Sequence, residues 1–144
     1  MNIISQRDPR WGFKPIGKST TLIKDKGCLI TCISMLSDYF KCYHDPSWMS
    51  KNLSFLRDLL IWNSIGKVLC FEFTWRGYRY DENKILAALK NPKTACVLQV
   101  RGYHWVVGIR KVIGLGYWVA DPWDAKRRFY PVSSITGYAT LKSK

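Results

Sequence analysis

Two side chains that can act together as nucleophile and base each stand at the start of an expected element. Cys28 follows Asp25-Lys26-Gly27 and opens the apolar stretch from Leu29 to Phe40. Leu29, Ile33, Leu36 and Phe40 recur at i, i+4, i+7 and i+11, one face of an α-helix, so the thiol falls in a helical first turn. Unpaired backbone N–H groups and the positive end of the helix dipole favour thiolate over thiol there. Gly27 is expected to let the chain turn tightly and to leave room for a substrate backbone. His104 begins the stretch His104-Trp105-Val106-Val107-Gly108-Ile109, and an imidazole can take a thiol proton near neutral pH. Asp121, at the end of a further strand and just before Pro122, is of the type that fixes a histidine tautomer and stabilises its imidazolium.

Each residue also has an ordinary reading. A lone histidine at a strand start is more often structural, and an Asp-Pro pair usually initiates a turn. Against this, the one other histidine, His44, lies in a polar turn, and Gly108 keeps the face it shares with His104 open. Register raises a difficulty. A hairpin centred near Gly114 and Leu115 pairs His104 with Lys126 or Ala125 and sets Asp121 opposite Gly108 or Ile109. That offset of about four residues is ~13 Å along a strand, too far for a hydrogen bond. Either the strand bulges or the two strands are not simply paired; by this register Asp124 lies nearer and is the reserve third member.

The elements that must position these residues read as helices first and strands afterwards. Residues 1–26 form an irregular arm, followed by a helix over about 28–40, a helix starting at Asp45-Pro46 and a helical stretch at 54–63. Residues 68–75 read as a strand, and Asp81 caps a helix that stops at Asn91-Pro92. Strands are expected at 95–100, 104–112, 117–120 and 138–141, with Gly114 and Gly116 in a turn. Helices packed on an antiparallel sheet make an α+β fold, and the length suits one domain, residues 1–144. A cleft between the halves is the natural place for a site.

Composition narrows the classes. Hydrophobic content of 47% with seven tryptophans excludes a disordered chain. No apolar run approaches the roughly 18 residues of a membrane span, and the N-terminus turns polar too early for a signal peptide, so synthesis and folding in the cytoplasm are expected. Five cysteines without a framework of close spacings read as mostly free thiols in a reducing compartment, with Cys32 a buried core residue. Cys28, Cys32, Cys42 and His44 match no standard zinc spacing, so no metal is expected. A net charge of +13 predicts attraction to polyanions. The basic clusters, including Lys126-Arg127-Arg128, come without a nucleic-acid-binding signature and read as solvated surface.

The ordered set Gln6-x-Asp8-Pro9-Arg10-Trp11, Gly17, Gly27-Cys28-Leu29-Ile30-Thr31, His104-Trp105-Val106-Val107 and Ala120-Asp121-Pro122-Trp123 resembles the bacteriocin-leader-peptidase-like branch of the papain-fold cysteine peptidases. The resemblance spans about residues 4–124. It implies a papain-like fold, Cys28 as nucleophile, His104 as general base and acid, Asp121 orienting His104, and Gln6 donating to the oxyanion hole beside the Cys28 N–H. It also implies no metal or organic cofactor. The chain has no transporter segments, and small free-standing members of this branch resemble phage or bacterial wall-lytic proteins.

The expected activity is thus hydrolysis of an amide bond by a thiol mechanism, with peptidoglycan the preferred substrate in an endolysin-like role on the cell wall or as part of a virion. A protein or leader peptide is the alternative substrate. The rival class is a non-catalytic module binding wall polymer or another polyanion. A monomer is expected, and nucleic acid is not an expected partner.

Overall fold

Gly27 joins two helices, α1 (Ile23–Lys26) and α2 (Cys28–Tyr39), in the computed structural model, which describes all 144 residues. A Cβ on Gly27 would stand 2.5 Å from the Ile23 carbonyl oxygen, so only glycine lets the two helices follow each other this closely. Ile23 therefore occupies the space that the sequence reading left for a substrate. The burial of α2 is wider than one apolar face: every residue from Ile30 to Ser37 is buried. Its interior hydroxyls find backbone acceptors, Thr31 on the Gly27 carbonyl at 2.7 Å and Ser34 on that of His44 at 2.6 Å. A central helix can carry such small polar residues because each satisfies itself locally.

Helix α3 (Pro46–Asn52) starts where expected, with the Asp45 carboxylate accepting the Trp48 N–H at 2.8 Å. The expected helix at 54–63 is not there. Instead β1 (Phe55–Leu56) and β2 (Leu59–Leu60) form a small hairpin, followed by a 3₁₀ turn at Trp62–Ser64 and α4 (Ile65–Val68). Arg57 turns the hairpin at a φ of 60°, and Leu56 and Leu59 stay largely exposed, so the leucines have no helical face to fill.

The remaining elements are β3 (Phe71–Gly77), α5 (Glu82–Lys90), β4 (Thr94–Val100), β5 (His104–Val112), β6 (Gly116–Asp121), β7 (Lys126–Pro131) and β8 (Ile135–Ser143). Six strands form one antiparallel sheet in the order β3-β8-β4-β5-β6-β7. Strand β7 is not among the expected strands, because Lys126-Arg127-Arg128 at its start has the composition of solvated surface. Asp81 caps α5 through the Lys84 N–H, as expected.

The sheet separates two cores. On one side α2 and the arm pack Trp11, Ile33 and Leu36 against Val97, Val107 and Ala120. On the other, Ile85 and Ala88 of α5 pack against Leu98, Val106, Tyr117 and Val119. This is the expected α+β arrangement, with helices on an antiparallel sheet. No helix is long and apolar enough to cross a membrane.

The cysteines depart from the expectation of free thiols. Cys42 and Cys70 form a disulfide, with Cα atoms 6.3 Å apart, while Cys28, Cys32 and Cys96 are free. Packing of Phe40 on Phe71, ring centroids 4.8 Å apart, brings the end of α2 to the start of β3 and so brings the two sulfurs together. Their 28-residue separation carries no local signal.

Candidate active site

The first residue of α2 and the first residue of β5 meet at the floor of a cleft of about 400 Å³. Cys28 and His104 line it together with Gln6, Leu60, Trp105 and Trp123. His104 Nε2 lies 2.7 Å from Asp121 Oδ1. With that nitrogen donating to the carboxylate, Nδ1 is left for the Cys28 sulfur, which is close enough to favour the charged ring.

The register puzzle resolves through a bulge. Arg110 pairs with Trp118 but Gly108 pairs with Val119, so Ile109 is an extra residue in β5. The loop is also tight, Val112 pairing with Gly116. Together these move Asp121 two residues nearer than a hairpin centred at Gly114–Leu115 allows. Val107 pairs with Ala120, which sets Asp121 across from Val106, diagonal to His104 and on the same face.

Asp121 is 2% exposed, yet all its acceptor capacity is answered. Oδ1 takes the His104 ring and the Trp123 N–H at 2.9 Å; Oδ2 takes the Tyr130 hydroxyl at 3.2 Å and forms an ion pair with the Arg128 guanidinium, whose Nε is 3.2 Å away. Burial alone would raise its pKa, but the hydrogen bonds from His104, Trp123 and Tyr130 outweigh it and hold the carboxyl below its ordinary value. Burial would likewise lower His104, but Asp121 and Cys28 push it up to about 9. Burial and the Asp121 charge raise the Tyr130 phenol, which keeps it a donor.

Asp124, the reserve, faces Arg128 and not His104. Strand β6 ends at Asp121, so Asp124 lies in the turn that leads to Lys126 of β7, where it meets Arg128 instead of the imidazole. Arg128 and Tyr130 were missed because they lie on β7. Residues 126–128 read as solvated charge, whereas Arg128 bridges Asp121 and Asp124. The alternation of Arg128 and Tyr130 was the available signal.

Gln6 is 1% exposed and lines the cleft beside Cys28. Its backbone N–H donates to the Pro122 carbonyl at 2.7 Å, and its Nε2 donates to the Lys24 carbonyl at 3.1 Å. Trp11 holds the approach, its Nε1 donating to the Ser5 carbonyl at 2.7 Å. An amide nitrogen carries two hydrogens, so one remains for another acceptor. Cys32, fully buried one turn below Cys28, donates to the Trp105 carbonyl at 3.4 Å. Burial, then the nearby Cys28 and Asp121 charges, push its thiol well up, so it stays neutral and joins α2 to β5.

Residues 12–19, Gly-Phe-Lys-Pro-Ile-Gly-Lys-Ser, match the spacing of a phosphate-binding loop. Their setting differs from one. They lead into a turn closed by the Pro15–Leu22 bridge, the Ser19 hydroxyl donates to the Ile16 carbonyl, and the helix that follows has four residues.

Asp121→Asn is expected to lower Cys28-dependent hydrolysis about 5- to 15-fold, since exchanging a charge-assisted hydrogen bond for a neutral one loses about 1–1.5 kcal/mol. The pH profile separates this from a loss of fold. His104, raised from 6.5 to about 9, loses its imidazolium as pH passes 9, and the alkaline limb of a reaction that uses it is expected there. Removing the Asp121 charge takes away one of the two groups that raise His104 against burial, so that limb should move down in Asp121→Asn. The same shifts link to stability. The His104 contribution is full below about 6.5 and lost as pH rises through 9, and the Asp121 contribution is lost as pH falls into the range of its lowered pKa.

No family model and no curated protein sequence matches the chain. Among solved structures it is similar to the crystal structure of a double glycine motif protease from an AMS/PCAT transporter in complex with the leader peptide. The two share 20% identity at a TM-score of 0.59, over 81% of this chain and 84% of that one. The likeness shows the fold: the papain-like arrangement that the ordered motifs led us to expect.

Proposed function

We propose that the chain is a cysteine peptidase in which Cys28 is the nucleophile. The observation that carries this reading is the meeting of a thiol at the first residue of α2 with an imidazole that a buried carboxylate holds at 2.7 Å. His104 Nδ1 takes the thiol proton, and the resulting ion pair is stabilised by Asp121 and by the N-terminus of α2. The Cys28 sulfur attacks the amide carbonyl carbon. The oxyanion that forms accepts the Cys28 backbone N–H, one of the donors a helix leaves unpaired in its first turn, and the second Nε2 hydrogen of Gln6. The tetrahedral intermediate collapses as His104 gives its proton to the leaving amine, which departs and leaves a thioester. Water, deprotonated by His104, attacks that thioester, and the carboxylic acid leaves as Cys28 is restored.

A polypeptide is the substrate we favour. The similar protease of known structure is in complex with a leader peptide, and the cleft here has apolar walls, Leu29, Leu60 and Trp105, suited to an extended chain. Peptidoglycan is a second reading, favoured by the net charge of +13. The Cys42–Cys70 disulfide supports work in an oxidising compartment, where the mostly free thiols expected from the sequence would not all stay reduced.

The test is to incubate the protein with two substrates, a set of leader peptides carrying a Gly-Gly junction and purified peptidoglycan, and to identify new termini by mass spectrometry. Cleavage of either by the native protein and of neither by Cys28→Ala is the expected result. Cleavage of peptidoglycan alone would reverse our order of substrates. Cleavage undiminished in Cys28→Ala would refute the mechanism.

A further inference from the structure

A second groove, of about 740 Å³, begins at the catalytic imidazole and leads away from Cys28. His104, Tyr103 and Trp123 line both it and the Cys28 cleft, so the two are continuous across the His104 side. Beyond that junction lie Arg101, Arg127, Trp118 and Phe129. Tyr103 is 74% exposed, and Trp118, Trp123 and Phe129 are each more than a third exposed. Arg7 adds a cation at the junction, its guanidinium 4.4 Å from the Trp123 ring centre.

The charge on this groove is one-sided. Its lining holds one carboxylate, Asp121, and that group is engaged by three hydrogen bonds and by the Arg128 guanidinium. Arg128 is taken up by Asp121 and Asp124. Neither Arg101 nor Arg127 is in an ion pair. Arg101 rests 5.9 Å over the Tyr130 ring instead. The groove follows β7, the free edge of the sheet, whose outward N–H and C=O groups match an extended peptide backbone. A glycan or a nucleic acid offers no such backbone match.

From this we infer that the groove receives the leaving-amine side of a peptide substrate, and that it selects acidic side chains there. The direction rests on the proposed peptidase reading: His104 protonates the leaving amine, so the departing segment lies on the His104 side. Arg101 and Arg127 then act as specificity residues, reading Asp or Glu two to four residues beyond the scissile bond, while the aromatic rings cover the segment between them.

The experiment has a cleavage arm and a binding arm. In the first, kcat/KM is measured for one cleavable peptide carrying Glu, Gln or Lys at the second to fourth positions after the cleaved bond. Glu is expected to exceed Lys about tenfold, the sum of two or three exposed charge pairs. The advantage should fall in 0.5 M NaCl and vanish in the double variant Arg101→Ala/Arg127→Ala. In the second arm, fluorescence anisotropy follows binding of a labelled Glu-rich octapeptide, its Lys counterpart, a single-stranded oligonucleotide and soluble teichoic acid to the Cys28→Ala protein. Preference for the Glu peptide, lost with the two arginines, supports the inference even if no peptide is cleaved, and that combination would count against the peptidase reading alone. Cleavage indifferent to these charges would overturn the inference and leave the peptidase reading standing. Tighter, arginine-dependent binding of the oligonucleotide or of teichoic acid would also overturn it.

Discussion

Replacing Cys28 with alanine is expected to lower amide hydrolysis at least about 10⁴-fold, and His104→Ala to do nearly as much. The reason is that neither group does the chemistry alone. A neutral thiol is a poor nucleophile, and in the proposed mechanism the imidazole beside it supplies both the base and the acid that frees the leaving amine. The double variant should therefore be no worse than the worse single one, as is found for residues that act as a unit. Kinetics on the cleaved substrate, with thermal unfolding measured in parallel, check this. The Cys28 side chain pairs with His104 alone, at the lining of the cleft, so the variant should unfold within a few degrees of the native protein. Multiplicative losses in the double variant would mean that the two side chains act separately.

The largest expected effect on the fold comes from the Cys42–Cys70 disulfide. Closing a loop over a 28-residue separation restricts the unfolded chain, which amounts to about 3.5 kcal/mol of stability. For a chain of this size, the double variant Cys42→Ser/Cys70→Ser should unfold roughly 10 °C lower. A reductant should lower the native unfolding temperature to a similar extent and leave the variant unchanged. Activity at low temperature should survive, because Cys42 lies beyond the end of α2 and Cys28 at its start, separated by a helix of 12 residues, ~18 Å long. An unfolding temperature insensitive to reductant would show that the bridge is absent from the native protein.

The parts of this structure that local chemistry specifies were legible in the chain. Gly27-Cys28 and its apolar run marked the start of α2, Asp45-Pro46 and Asp81 capped helices where the residue types require it, and His104 began a strand whose limits, 104–112, match the structure. What was not legible depends on contacts between distant segments. The third member of the site turned on one extra residue, Ile109, and on a loop one residue tighter than the glycines suggest; no pattern marks either, since a bulge costs a strand little and its effect appears only across the pair. The disulfide follows from Phe40 meeting Phe71. The hairpin at 55–60 hides behind leucines that looked helical and remain exposed. Strand β7 reads as a basic cluster until Arg128 and Tyr130 are seen on one face, turned toward Asp121.

The proposed pairing of Cys28 with His104 is tested most directly by mapping which sulfur iodoacetamide modifies at pH 6. The three free thiols differ in setting: Cys32 and Cys96 are fully buried, while Cys28 opens onto the cleft beside an imidazole raised to about 9. We expect carboxamidomethylation at Cys28 alone, faster than that of free cysteine at the same pH, and slowed at least tenfold in His104→Ala as the stabilising imidazolium is removed. Modification of Cys28 no faster than free cysteine, or equally fast without His104, would contradict the account.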